Sequence, residues 1–209
     1  MAISGLALNH SLIGIDFRTA DGVLVGVSRS SASDEAQVYT INTFTGGATA
    51  IGLLFALPGS SGFGVDFNPV PGALRLVTDA EANRRITMGG AGVVNTDTNL
   101  NPVPTAGLQI SGAAYSNNVP GGVGGNTTLY VVDSTSGNLY SQGSVNFPGG
   151  GAISPNTGTL FLIGSLGLGT NLSTQIGLDI SDLGLAFLSI ADGNGDRLYR
   201  FNEGVKGIV

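Results

Sequence analysis

The chain has 209 residues, 42% of them hydrophobic but only 11% charged, and a formal net charge of −6. One lysine, Lys206, and seven scattered arginines form no basic cluster, which excludes a nucleic-acid surface and a polybasic membrane contact. Cysteine is absent, which excludes disulfides, thiolate catalysis and zinc–thiolate sites, and no apolar run has the length of a transmembrane helix.

The length fits one domain with a substantial core. Its 35 glycines, with abundant Ser, Thr, Asn and Val, predict many short strands joined by tight turns. A surface so poor in charge has little protection against self-association and must be glycosylated, assembled or otherwise covered.

The first residues, Ala2, Ile3, Ser4, Gly5, Leu6, Ala7 and Leu8, read as one apolar strand within an N-terminal segment, 1–13. With no charged lead and no long hydrophobic stretch, the segment is not read as a signal peptide. His10 follows as the only histidine, and no G-x-S-x-G elbow occurs anywhere, so nucleophilic catalysis finds no support.

From residue 14 the chain repeats. "GIDF" (14–17), "GVDF" (64–67), "GAAYS" (112–116) and "GLDIS" (177–181) each precede a turn and a second apolar segment, at 23–29, 74–79, 129–134 and 185–191. Third segments follow at 38–42, 84–88, 138–143 and 197–202, and fourth ones at 48–52, 92–97, 159–164 and 205–209. The units 14–52, 64–97, 112–164 and 177–209 start 50, 48 and 65 residues apart, the last spacing stretched by glycine-rich loops. Four short antiparallel strands per unit is the pattern of a propeller blade, and "TADG", "NPVPG", "STSGN" and "DGNGD" supply hairpin chemistry. The expected fold is all-β and β-propeller-like, a single domain over 14–209 with an extra N-terminal strand. A β-sandwich or an irregular β-solenoid is the alternative.

Asp16, Asp66 and Asp179 return on this frame, each between apolar neighbours. Inner blade strands surround a channel, so the three carboxylates could converge on a cation. Ala114 breaks that ring, and a buried carboxylate normally accepts internal hydrogen bonds, so the structural role is favoured. Near the end, Asp192, Asn194 and Asp196 stand at positions one, three and five of an EF-hand-like loop, with Glu203 at twelve. Arg197 replaces the glycine such a loop needs at position six, so a surface hairpin is preferred over a Ca2+ site. Asn9, Asn126 and Asn171 begin N-x-S/T sequons, candidate glycosylation sites if the protein meets that pathway.

The ordered motifs "LIGIDFRTADGVLVGV", "VYTINTFTGGATAIG", "FGVDFNPVPGALRLVTD", "AAYSNN" and "TTLYVVDSTSGNLYSQG", with "GSLG" (164–167) and "GLDI" (177–180), resemble the bacterial domain-of-unknown-function family DUF4394. The resemblance runs from about residue 5 to the C-terminus. It implies a β-propeller-like fold and a setting among exported or surface proteins, with no established catalytic residues. It also implies a further strand pair ahead of the segment matching residues 2–8. The four complete units would then leave that strand as an orphan, which must find an edge on the last unit of its own ring or on a neighbouring subunit.

The leading functional expectation is a non-enzymatic extracellular structural protein that assembles with itself by strand addition into a fibre or surface layer. Two alternatives stand beside it. One is a monomeric propeller binding glycan or protein ligands through loops 97–111 and 116–128. The other is a lactonase- or glycosidase-like enzyme with a metal held by the inner aspartates. No cofactor beyond Ca2+, no nucleic acid and no membrane insertion is expected.

Overall fold

Why the chain folds into hairpins is visible at its turns. At three of them Gly22, Gly72 and Gly137 adopt φ of +69°, +63° and +66°, a region only glycine enters without strain. Their N–H groups donate to Arg18, Asn68 and Asp133 carbonyls at 2.8–2.9 Å, closing the turn. The computed structural model describes residues 2–58, 61–89, 92–102, 107–147, 152–192 and 195–202.

Blade 1 holds β1 (His10–Arg18), β2 (Val23–Ser30), β3 (Glu35–Ile41) and β4 (Ala48–Ala56). Blade 2 holds β5 (Phe63–Asn68), β6 (Ala73–Thr78), β7 (Asn83–Thr87) and β8 (Val93–Thr96). The short β9 (Asn101–Pro102) then crosses to blade 3, formed by β10 (Ile110–Tyr115), β11 (Thr127–Asp133), β12 (Asn138–Phe147) and β13 (Thr159–Ser165). A single 3-10 turn, Pro155–Thr157, joins the last two. Blade 4 shows β14 (Ile176–Ile180), β15 (Leu185–Asp192) and β16 (Gly195–Asn202). All four sheets run antiparallel from the inside outward and form a ring, a four-bladed β-propeller.

Two details depart from the expected four-by-four plan. Parallel pairing of Asn101 and Pro102 with Thr159 and Leu160 gives blade 3 a fifth strand. In blade 4 the expected fourth strand, 205–209, lies outside the described residues.

Three seams between blades are sealed by apolar side chains. Val25, Val27 and Val38 meet Phe67, Leu74 and Leu76 between blades 1 and 2. Val77 meets Ala113, Leu129 and Val131 between blades 2 and 3, and Ala114, Val132 and Leu139 meet Leu178, Ala186 and Leu188 between blades 3 and 4. Burial of this kind is worth about 25 cal/mol per Å2 and supplies most of the drive to assemble the ring. No buried cluster joins blade 4 to blade 1 among the described residues, and Ile15 and Phe17 on β1 remain 55% and 53% exposed.

The repeated glycine ahead of each recurrent aspartate has a packing reason. A Cβ on Gly14 would come within 2.6 Å of Val65, one on Gly64 within 2.6 Å of the Ala113 backbone, and one on Gly112 within 3.0 Å of Ile176. At these three positions the inner strand lies close against the next one, whereas Gly177 of blade 4 is confined by Ser189 of its own blade. Gly64→Ala is expected to destabilise by about 2 kcal/mol, because the rigid backbone of β10 must move. Gly22→Ala serves as a contrast, with open space around it but a left-handed φ, and is expected to cost about 1 kcal/mol. Urea midpoints of the two variants check this ranking.

The N-terminal segment corrects the sequence expectation. Residues 2–8 form no regular strand; Ser4 alone makes a parallel bridge, to Gly47. Ser4 N–H donates to the Gly46 carbonyl, Ala48 N–H to the Ser4 carbonyl, and Ala7 N–H to the Tyr39 hydroxyl. Among the described residues the segment is therefore fastened to the first blade of its own chain. Gly5, at φ +83° and packed on the Ala48 carbonyl, bends the chain away from continued pairing.

Candidate functional site

The four inner strands enclose a cavity of about 250 Å3, lined chiefly by Ile13–Ile15, Phe63–Val65, Gly112, Ala113 and Ile176–Leu178. It is bordered by glycine, aliphatic side chains and Phe63, a surface with little chemistry. Two of the recurrent aspartates, Asp16 and Asp66, tie blade to blade. Asp16 Oδ2 accepts the Phe67 N–H at 2.8 Å, and Asp66 Oδ2 accepts the Tyr115 N–H at 2.6 Å. In each case the donor is the residue after the equivalent position of the next blade. Ala114 occupies that position in blade 3, so it offers no such latch to blade 4.

Asp66 is only 2% exposed, and burial, reinforced by the Asp16 charge, raises its pKa well above the usual 3.8. Burial also raises Asp16, while the Phe67 N–H and Asp66 oppose the shift. Their mutual contact lowers Asp16 and raises Asp66, so of the two Asp66 holds its proton more tightly. Two carboxyls holding one proton can do acid–base chemistry, but Asp66 is sealed from any substrate. Asp179 is exposed and adds charge repulsion that raises both carboxyls further.

A second centre lies between blades 2 and 3 and was not legible in the sequence. Arg75, central in β6, is almost wholly buried. Its Nη1 donates to Asn83 Oδ1 at 2.7 Å and to Asp97 Oδ2 at 2.8 Å; its Nη2 donates to Asn156 Oδ1 at 2.7 Å. Nε donates to the Tyr115 hydroxyl at 3.3 Å. Burial opposes the guanidinium charge, but Tyr115 and Asp97 outweigh it and the pKa stays raised. Gln142 extends the network by donating to Asn83 Oδ1 and to the Pro155 carbonyl. Arg85 approaches the same Asp97 carboxylate at 3.2 Å, and Arg75, Arg85, Tyr115 and Asn156 line one partly open cleft of about 290 Å3. Its signals in sequence were one arginine inside an apolar strand, where charge is rarely buried unpaired, and the "RR" pair ten residues on.

The other sequence candidates remain apart from both centres. His10 Nδ1 lies 2.7 Å from Ser28 Oγ, yet Ser28 is fully buried, and the contact joins two strands of one blade. Asp192 and Asp196 belong to a hairpin in which Asp192 pairs with Gly195 and Ala191 with Asp196. Asn194 and Glu203 lie outside the described residues. Among the described residues no three His, Asp or Glu side chains gather to hold an ion. Of the sequon asparagines, Asn9 and Asn171 are exposed with left-handed φ. Asn126 is half-buried and donates its amide to the Gly124 carbonyl, while its sequon partner Thr128 is buried.

The loops expected to form an alternative binding face are also fastened. Thr98 N–H donates to the Asn156 carbonyl, Leu100 N–H to the Glu81 carbonyl, and Gly121 N–H to the Pro69 carbonyl. They serve as straps across the seam between blades 2 and 3. No helix among the described residues is long and apolar enough to cross a membrane.

Inner strands latched by an aspartate one residue out of step, over a glycine that admits the neighbouring strand, are the blade pattern that the repeated motifs encode. A family model, "Domain of unknown function (DUF4394)", matches residues 1–204. The chain belongs to the DUF4394 family. A comparison with curated proteins finds no match. In this DUF4394 propeller, then, Asp16 and Asp66 are explained as blade latches, and the arginine centre is the most polar construction in the interior.

Proposed function

We propose that this DUF4394 chain is a non-enzymatic, exported structural protein whose copies join by β-strand addition between blade edges. The observation that supports the reading is the composition of two outer strands. Neither β4, "ATAIGLLFA", nor β13, "TLFLIGS", contains a charged residue or a proline, the usual guards of an exposed edge. Leu53 on β4 is 86% exposed, and Leu162 on β13 is 59% exposed between exposed Phe161 and Ile163. Among the described residues, Ser4 covers β4 only at its first residue, and β9 covers only Thr159 and Leu160 of β13.

The occupant that fits such an edge is the other edge of a second copy. The two strands belong to non-adjacent blades, so joining β4 of one copy to β13 of the next leaves a free edge at each end. Such a heterologous contact propagates into a filament or a ring. Main-chain hydrogen bonds supply the register, and the apolar side chains supply the burial. Export agrees with the low charge and with the exposure of Asn9 and Asn171, the two sequons open to glycosylation.

Lysine placed on either edge tests the arrangement. Wild-type protein is expected to grow into long assemblies with concentration, seen by sedimentation velocity and negative-stain microscopy. Leu53→Lys and Leu162→Lys are each expected to stay monomeric, while an equimolar mixture forms only a heterodimer, because each variant keeps one complementary edge. A wild-type protein that stays monomeric at millimolar concentration sinks the proposal. Homodimers of either variant alone would show a self-complementary interface instead and overturn the β4–β13 pairing.

A further inference from the structure

We infer that the cleft between blades 2 and 3 is a binding site for a single carboxylate-bearing sugar residue, a function separate from edge assembly. Charge is the first argument. Arg75 and Arg85, two of the chain's seven arginines, line the cleft, and Asp97 is the one carboxylate ion-paired to them among the described residues. In a protein of net charge −6, this local excess of positive charge marks the place where an anion is welcome.

Unspent hydrogen-bonding capacity is the second. Four of the five N–H groups of Arg75 are used by Tyr115, Asn83, Asp97 and Asn156, which leaves one on Nη2 without a partner among the described residues. Arg85 spends its Nε–H and one N–H of Nη2 on Asp97, which leaves one on Nη2 and both on Nη1 without a partner among the described residues. The Tyr115 hydroxyl accepts from Arg75, and its own proton has no acceptor among the described residues. All three donor residues line one cleft. A planar guanidinium fork of this kind takes a planar carboxylate in a bidentate pair.

The remaining lining supplies the rest of the ligand. The amide nitrogens of Asn68 and Asn156 are unpaired among the described residues and suit sugar hydroxyls. Pro71 and Phe147 offer an apolar wall for the C–H face of a pyranose. At about 290 Å3 the cleft is at the small end of ligand pockets, room for one ring. Arg75 is held from four sides before any ligand arrives, so little ordering is left to oppose binding.

Isothermal titration calorimetry with D-glucuronate tests the assignment, with D-glucose and acetate as controls. Glucuronate is expected to bind at least tenfold more tightly than either control. Arg85→Gln, which leaves the buried network in place, is expected to weaken glucuronate binding about tenfold or more, with an unchanged circular dichroism spectrum. The edge variant Leu53→Lys is expected to bind glucuronate as wild type does, which separates this site from the assembling edge. Absence of glucuronate binding at tens of millimolar, equal binding of acetate or glucose, or an unaffected Arg85→Gln variant would each overturn the inference.

Discussion

Arg75→Leu is expected to destabilise the protein by about 3–5 kcal/mol, the range for removing one partner from a buried charge network. The reason lies in what the leucine would leave behind. Asn156 Oδ1 and the Tyr115 hydroxyl lose their donor, and Asp97, itself nearly buried, keeps only the longer contacts to Arg85. A buried acceptor stripped of its donor bears its full desolvation cost. Blade 2 would also lose its polar tie to the 3-10 turn of blade 3, since Arg75 and Asn156 belong to different blades. Arg85→Gln provides the contrast: its ion pair is partly exposed and its removal is expected to cost less than about 1 kcal/mol. Urea unfolding with a constant m-value checks the ranking. Equal, small losses at both positions would show that the network does not hold the seam.

Asp66→Asn is expected to raise the melting temperature at pH 8 and to flatten its dependence on pH. Burial and the neighbouring Asp16 hold the Asp66 proton far more tightly in the folded protein than in the unfolded chain, where the pKa is near 3.8. Such a group stabilises the fold fully below the unfolded value and loses that contribution as pH climbs through the folded one. Wild-type protein therefore gains stability at this site on acidification from pH 8 toward pH 4. Asparagine keeps an oxygen for the Tyr115 N–H but carries no charge, so its advantage is largest at high pH and shrinks on acidification. Asp66→Ala removes the acceptor and leaves a buried N–H unpaired, with an expected loss of about 1–3 kcal/mol. Parallel melting profiles of wild type and Asp66→Asn from pH 4 to 8 would refute this account. The exposed Asp21, whose pKa the Arg18 side chain lowers, acts in the opposite sense, and only as pH falls below the usual carboxylate range.

These two residues differ in how openly the chain announces them. Asp66 recurs at Asp16 and Asp179 because a blade recurs, and the gap at Ala114 already argued against a ring of metal ligands. Its role as an internal acceptor follows from that pattern, while the identity of the donor does not. Tyr115 lies 49 residues away, and only the one-residue offset between neighbouring inner strands brings its N–H to the carboxylate. Arg75 carries no repeat at all. Its partners stand 8, 22, 40 and 81 residues away, and nothing local predicts that they meet.

The N-terminal segment shows the same division. Its apolar residues mark it as something that must be covered, and the chain alone left open which edge would take it. Gly5 and the Tyr39 hydroxyl decide that, since the bend at one and the hydrogen bond to the other hold the segment against blade 1.

What the sequence determined by itself was the blade: alternating apolar residues, turn glycines and a repeat near 50 residues are local properties, each set by the backbone and its nearest neighbours. What only the tertiary structure decided was everything between blades. Which aspartate latches which strand, where a buried arginine finds four acceptors, and which outer strands stay uncovered depend on the offset and angle of one sheet against the next. Those are fixed by packing across seams whose members are far apart in the chain, and no local pattern carries that information.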